Sequence, residues 1–347
     1  MLSEILNERK IPKLSSRNEM LDILQKEVYG YMPPRPDKIT WEVHKGFLPR
    51  FCAGKAECNK VIITCTLGEK TFSFPFYTTI PTKAGKHPFF IHINFSPDIP
   101  DRYMPSEELI DNGFAILSFC YKDVTSDDND LTNGLAGVLY PEGVRKPDDP
   151  GKIAMWSWAA QRVMDYAESE LCDRLDFNCS VVCGHSRLGK TALLTGAYDQ
   201  RFMFTYSNDS GCTGAALSRG NKGETVKDIT ERFPYWFCEN YYKYSENEQS
   251  MPFDQHYLIA SIAPRFALVG SAALDAWADP VSEMLACVAA GSAFSQDGKP
   301  GFVCEDRLPQ IGDTFFEGKL GYHMRGGTHY FSREDWLRLI DFVNKHR

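Results

Sequence analysis

An α/β fold, built on a mostly parallel central sheet with helices on both faces, is predicted by three features of this 347-residue sequence. Solid apolar runs of strand length recur along the chain, helical patterns separate them, and two alternating runs near the beginning read as an antiparallel hairpin. The apolar runs are PFFIHINF from Pro88, FAILSFCY from Phe114, CSVVCG from Cys179, FMFTYS from Phe202 and FALVGSA from Phe266. A strand covered by helices on both faces has no water-facing side, so its residues need not alternate. Helical patterns fall at residues 106–112, 152–169, 189–198 and 280–290. The hairpin pairs VIITCTLG from Val61 with TFSFPFYTTI from Thr71, joined at Glu69-Lys70. The later strands alternate with helices and so become parallel neighbours, because each crossover returns the chain to the same edge.

Three segments stand outside that alternation. Residues 1–36 end in YGYMPPRP, whose prolines stop any helix, and read as an N-terminal wrap. Residues 123–150 are rich in Asp, Gly and Pro, and residues 210–265 in aromatic and charged side chains. Connections this long inside a compact fold are functional or disordered. Their places after strands make them expected walls of a cleft at the carboxyl edge of the sheet. The expectation is one domain over residues 1–347, with 210–265 as a lid-like, substrate-binding insertion.

Hydrophobic residues make up 43% and charged residues 24%, which suits a large buried core and excludes a disordered chain. A formal charge of -8 argues against a nucleic-acid partner, which needs clustered Lys and Arg. The eleven cysteines lack close C-x-x-C pairs and read as reduced and buried. The eight histidines are dispersed, without an H-E-x-x-H helix, so no metal is expected. No run is long enough to span a membrane, and the charged start MLSEILNERKIPKL lacks the apolar stretch of an export signal. For a native start the expectation is a cytoplasmic protein with no membrane partner; for a chain trimmed of its leader it is a secreted one. Oligomeric state is not legible.

The strongest local signal is VVCGHSRLGKTALL, which reads as a buried strand, a sharp turn at Gly184-His185-Ser186-Arg187, and a helix starting near Gly189. A nucleophile elbow needs small residues around its serine, because the turn is strained and the helix packs close to the strand. Gly184 and Gly189 serve here, whereas the G-x-S-x-G pattern would place glycine at Leu188. The same serine could be a mere helix N-cap. Against that, its Oγ would stand at the top of the sheet with the Arg187 amide at a helix N-terminus, available to an oxyanion. In this fold the triad follows the order Ser, acid, His. Asp275 follows FALVGSA within SAALDAWADP, with Asp279 a weaker second choice, and His329 lies in MRGGTHYF where Gly326 and Gly327 permit a loop. His323 competes, but it sits within an apparent strand, GYHMR, and reads as structural. Serine is inert at neutral pH until an imidazole takes its proton, and a carboxylate must fix that imidazole's tautomer. A serine hydrolase of the α/β-hydrolase fold is the reading.

The chain also resembles the glucuronoyl esterases, carbohydrate esterase family fifteen. The matching strings are GHSRLGKTAL, DSGCTGAAL, FPYWF, MPFDQH, APR before Phe266, LDAWADP and the late GGTH, spread over the last two-thirds of the chain. The resemblance implies cleavage, without a cofactor, of the ester between 4-O-methyl-glucuronic acid of glucuronoxylan and lignin alcohols. It implies Ser186 as nucleophile, His329 as base and Arg187 as oxyanion support. It places Lys190 and Trp277 at positions that contact the sugar, and Glu224 near residues that hydrogen-bond the glucuronate. The bland alternatives are a solvated Lys190, a core-anchoring Trp277 and a surface Glu224. For the acid, the family offers two positions, matching Asp275 and Asp209. Asp275 is favoured, with Asp209 a second carboxylate. His185 stands where fungal members carry a disulfide-forming cysteine.

The expected activity is that of a serine carbohydrate esterase acting on uronate esters. An acetyl esterase on acetylated xylo-oligosaccharides, a silent carbohydrate-binding homologue and a peptidase are the rivals. The second oxyanion donor stays open, with residues 94–96 as the candidate loop.

Overall fold

The computed structural model describes residues 1–296 and 298–347. Ten strands are present among them: β1 (Lys38–His44), β2 (Ala56–Leu67), β3 (Lys70–Pro81), β4 (His87–Asn94), β5 (Ala115–Cys120), β6 (Leu175–His185), β7 (Phe204–Asn208), β8 (Phe266–Ala272), β9 (Thr314–Phe315) and β10 (Leu320–Arg325). They form one sheet in the order β1-β2-β3-β5-β4-β6-β7-β8-β10-β9. The run from β5 to β10 is parallel, and the antiparallel pairs lie at the two ends. Each of the five apolar runs became a parallel strand. The hairpin also formed, with its turn at Gly68-Glu69 and Lys70 already paired to Leu67.

The helices are α1 (Leu2–Glu8), α2 (Arg17–Leu24), α3 (Ser106–Asp111), α4 (Gly134–Leu139), α5 (Lys152–Glu170), α6 (Arg187–Tyr198), α7 (Val226–Arg232), α8 (His256–Ala260), α9 (Pro280–Ala290) and α10 (Arg333–His346). Two cores result, one on each face of the sheet. Along β4, Phe89, Ile91 and Ile93 join a core with Trp156, Val163 and Leu193 of α5 and α6, whereas Phe90 joins Trp336, Leu339 and Phe342 of α10. Alternate residues of a strand point to opposite faces, so a strand that feeds both cores must be apolar throughout. Burying the Trp336 side chain alone contributes roughly 1.5–3 kcal/mol, and its indole N–H is satisfied by Tyr103 O at 2.8 Å.

The N-terminal residues dock by side chain rather than by strand pairing. Arg17 donates to Ser261 O and Ala197 O, and His256 and Tyr257 reach the carbonyls of Pro12 and Lys13. Residues 210–265 hold α7, α8 and short 3-10 turns packed over one face.

The parallel strands run β5, β4, β6 in space, so the chain reverses its direction of travel between β4 and β6. Open α/β sheets bind ligands at the carboxyl ends of strands beside such a reversal. Ser186, Asp209, Asp275 and His329 follow the ends of β6, β7, β8 and β10 within four residues.

Candidate active site

The elbow is tighter than its sequence pattern suggests. Helix α6 begins at Arg187 rather than near Gly189, so Ser186 is the single residue between strand and helix, at φ 58° and ψ -127°. A non-glycine residue there stores strain on the order of 1–3 kcal/mol and persists only where its surroundings hold it. The surroundings are on both sides: Ser186 N–H donates to Asn208 O of β7 at 2.8 Å, and its carbonyl accepts from Gly189 and Lys190. The departure at Leu188 has a local explanation. A Cβ on Gly184 would lie 2.2 Å from Leu188 O, and one on Gly189 would lie 3.0 Å from the side chains of Ser207 and Ser210. The close approach of helix to sheet therefore falls at 189, leaving 188 free to carry a fully buried leucine. The amides of Arg187 and Leu188 are first-turn donors with no partner inside the helix.

His329 Nδ1 pairs with Asp275 Oδ2 at 2.6 Å. Asp275 is buried, while the imidazole is about half exposed to the cleft. The loops carrying them are joined by backbone, Leu274 N–H to Gly327 O at 2.9 Å and Ala273 N–H to Arg325 O at 2.9 Å. Arg325 adds a brace by donating to the carbonyls of Thr328 and Tyr330, on either side of His329. The imidazole is bonded to one of the two candidate carboxylates and not to the other. Asp209 accepts from Ala272 N–H at 2.7 Å and faces Arg325 Nη2 at 3.3 Å, and it makes no hydrogen bond to His329. Burial, with Glu283 and Asp335 nearby, raises the Asp209 carboxyl well above the usual range. Asp279 caps α9 by accepting from Ser282 N–H, and His323 is buried against Tyr206 OH at 2.9 Å.

Among the described residues, Asp209, Asp275 and His329 are the group whose ligand atoms converge, all within 4.8 Å of one another. Their existing bonds to one another and to Arg325 and Ala272 account for the donor set without a cation.

The cleft they face is about 320 Å³ and is lined by Ser186, Arg187, Lys190, Glu224, Trp277 and His329 together with Arg232, Phe233 and Trp236. The bland alternatives for three residues fail here. Lys190 is not solvated: it is buried, donates to Ser210 O and Cys212 O, and lies 3.9 Å from Glu224. Burial lowers the Lys190 ammonium and raises the Glu224 carboxyl, each partly offset by the other. Glu224 is 6% exposed, and Trp277, 48% exposed, anchors no core. The guanidinium of Arg232 lies over the Trp277 ring, 5.3 Å from its centre. In the loop proposed for a second oxyanion donor, Ser96 N–H is already held by Asn94 Oδ1 at 3.3 Å.

Sequence reasoning missed four contributors. His185 packs its ring 4.4 Å from that of His329 and pairs with Asn208 Oδ1 at 2.7 Å. Burial, then the neighbouring His329, pushes its imidazole down to about 3. A neutral ring there places no charge against the His329 imidazole. Asp127 and Arg232 act through partners far away in sequence, and Arg325 braces carbonyls three and five residues on; no sequence pattern marks the three. FPYWF, which contains Phe233 and Trp236, was visible only as a family string.

A serine at a strained strand-to-helix elbow, a histidine paired to a carboxylate after a later strand, and a sheet of this order define an α/β-hydrolase fold. The sequence profile for glucuronyl esterases of fungi matches residues 63–298. The chain belongs to the glucuronoyl esterase family, carbohydrate esterase family fifteen. It is 39% identical to carbohydrate esterase MZ0003 of an unknown prokaryotic organism, over 69% of this chain and 55% of that one. It is 27% identical to the 4-O-methyl-glucuronoyl methylesterase of Podospora anserina, over 72% and 49%. The solved glucuronoyl esterase from Solibacter usitatus superposes with a TM-score of 0.84 at 30% identity, covering 94% of this chain and 91% of that one. The chain thus spans about half the length of the curated relatives it matches.

Proposed function

We propose that this protein is a serine esterase that hydrolyses esters of glucuronic acid or its 4-O-methyl ether, through Ser186, His329 and Asp275 and a covalent acyl-enzyme. The observation that carries the proposal is the 2.6 Å bond from His329 Nδ1 to Asp275, in a cleft that also contains Ser186. That bond holds the proton on Nδ1 and leaves Nε2 to accept the serine proton. Ser186 Oγ then attacks the ester carbonyl, the alcohol leaves with the proton from His329, and water hydrolyses the acyl-enzyme by the same route in reverse. In this reading the first-turn amides of α6 and the Arg187 guanidinium serve the negative charge that develops on the carbonyl oxygen, supported by the start of α6 directly after Ser186.

The substrate class is supported by the lining. Lys190, Glu224, Arg187 and Arg232 form a polar, charged wall suited to a sugar acid, and Trp277 offers a flat exposed ring for a sugar face. The names of the Podospora and Solibacter proteins support the same class. An address in a reducing compartment belongs to the proposal as well, since all eleven cysteines are free and nine of them are buried.

The test is hydrolysis of benzyl glucuronate and of an acetylated xylo-oligosaccharide side by side, with the protein and its Ser186→Ala variant. Turnover of the glucuronate ester, abolished by the substitution, is expected. Preference for the acetylated sugar would move the substrate to acetyl esters, and no Ser186-dependent turnover of either would leave a sugar-binding protein.

A further inference from the structure

The Arg187 guanidinium is held in an unusual way for a residue beside a nucleophile. Its Nη1 is bonded to Asp127 Oδ2. Its guanidinium carbon lies over the rings of Trp236, Phe233 and Phe95, at 4.7, 5.5 and 5.8 Å from their centres. Its Nε is buried without a hydrogen-bond partner. A guanidinium fixed at one end by a carboxylate and packed among three rings has little rotational freedom, while the side chain stays partly exposed and lines the cleft beside Ser186.

Asp127 does more than pair with Arg187. Its other oxygen accepts from the Trp236 indole at 2.8 Å, the Tyr121 hydroxyl donates to Oδ2 at 2.8 Å, and its backbone carbonyl accepts from Tyr235 OH at 3.0 Å. Both the arginine and the ring that covers it are therefore oriented by one carboxylate, which is 7% exposed. The loop that carries Asp127 is in turn pinned from below. Lys152, fully buried at the start of α5, donates to Ser126 O at 2.7 Å, Ser126 Oγ at 3.1 Å, Asp128 Oδ1 at 3.4 Å and Asp130 O at 2.7 Å. Four oxygens around one ammonium make a rigid anchor for a segment that would otherwise be a mobile, acidic surface loop.

We infer that Asp127 is a positioning residue for the reaction: it sets the direction of the Arg187 guanidinium, and so the placement of the donor that meets the developing oxyanion, while Lys152 holds Asp127 in place. This rests on the esterase reading and goes beyond it. It assigns a catalytic consequence to residues 123–150, none of which lines the cleft itself. A donor that is preorganised contributes to the transition state without reorientation, so loosening it lowers kcat more than it raises KM.

The test is a double-mutant cycle with Asp127→Ala and Arg187→Ala, read as kcat and KM on both benzyl glucuronate and 4-nitrophenyl acetate, with thermal midpoints alongside. Asp127→Ala is expected to lower kcat about 10- to 100-fold with KM changed less than about threefold. In the Arg187→Ala background the same substitution is expected to change kcat by less than about threefold, because its effect passes through that arginine. Asp127→Asn, which keeps the shape and loses the charge, is expected to fold and to show the same non-additivity at smaller size. Equal losses in both backgrounds, a change confined to KM, or failure of both Asp127 variants to fold would overturn the inference and leave Asp127 a structural residue. The acetate separates the two claims: if Ser186-dependent turnover occurs only there, the glucuronate reading fails while the coupling between Asp127 and Arg187 is still measured.

Discussion

The nucleophile side of the cleft is held by backbone, whereas the wall opposite is held by side chains. On the first side, Ser186 N–H bonds Asn208 O and Asp209 N–H bonds Gly270 O, so each strand end positions the next through the sheet ladder. On the second side, Phe233 stacks on Trp236 at 3.9 Å and 3°, and both are fastened through Arg187 and Asp127. Backbone ladders are indifferent to side-chain identity, while a wall made of side-chain contacts can be changed one residue at a time. The difference suggests that chemistry resides on the ladder side and substrate choice on the wall, and each substitution below tests that division.

The largest effect is expected from His329→Ala, which removes the proposed base: kcat should fall on the order of 10⁴-fold or more, with KM for benzyl glucuronate little changed. Arg187→Ala is expected to lower kcat about 10²- to 10³-fold, the range for loss of one oxyanion donor. A rise in KM alone would place Arg187 with the wall instead. Trp277→Ala should raise KM up to about tenfold at nearly constant kcat, since one aromatic face contributes about 0.5–1.5 kcal/mol. A fall in kcat without a KM change would break the division.

The remaining effect concerns stability and leaves the division between ladder and wall untouched. Glu283 is fully buried behind the site, bonded to Ser271 Oγ and Gly211 N–H, and burial pushes its carboxyl up to about 7. A carboxyl raised above its unfolded value of 4.5 binds protons more tightly in the folded chain. Its contribution is therefore complete below about pH 4.5 and is lost as pH rises to about 7, on the order of 3 kcal/mol in all. Thermal midpoints of Glu283→Gln, measured across that window, should decline less with pH than those of the parent. An unchanged slope would remove Glu283 as its source.

The same division governs what the sequence disclosed. Five of the six parallel strands were legible as largely apolar runs because a strand buried on both faces need not alternate, and the elbow was legible because strand, serine and glycine-bearing helix adjoin in the chain. Strand β1 was missed although KITWEVH alternates polar and apolar residues with matching exposure at the sheet edge, the period-2 pattern of a half-exposed strand. Asp275 and His329 were found by their order after later strands, and Asp275 was already favoured over Asp209; the geometry adds that the imidazole bonds Asp275, while Asp209 bonds Ala272 N–H and faces Arg325. Asp127, Arg232 and Arg325 left no local signal. Asp127 and Arg232 meet Arg187 and Trp277 from 60 and 45 residues away, and a charge reads the same in the sequence whether it is solvated or buried.

The pairing of His329 with Asp275 is the centre of the account, and the most direct measurement is kcat on benzyl glucuronate for Asp275→Asn beside Asp209→Asn. The expected result is a loss approaching 10⁴-fold for Asp275→Asn, as for an imidazole left in the wrong tautomer, and a loss within about tenfold for Asp209→Asn. The reverse ranking would contradict the account and make Asp209 the acid of the site.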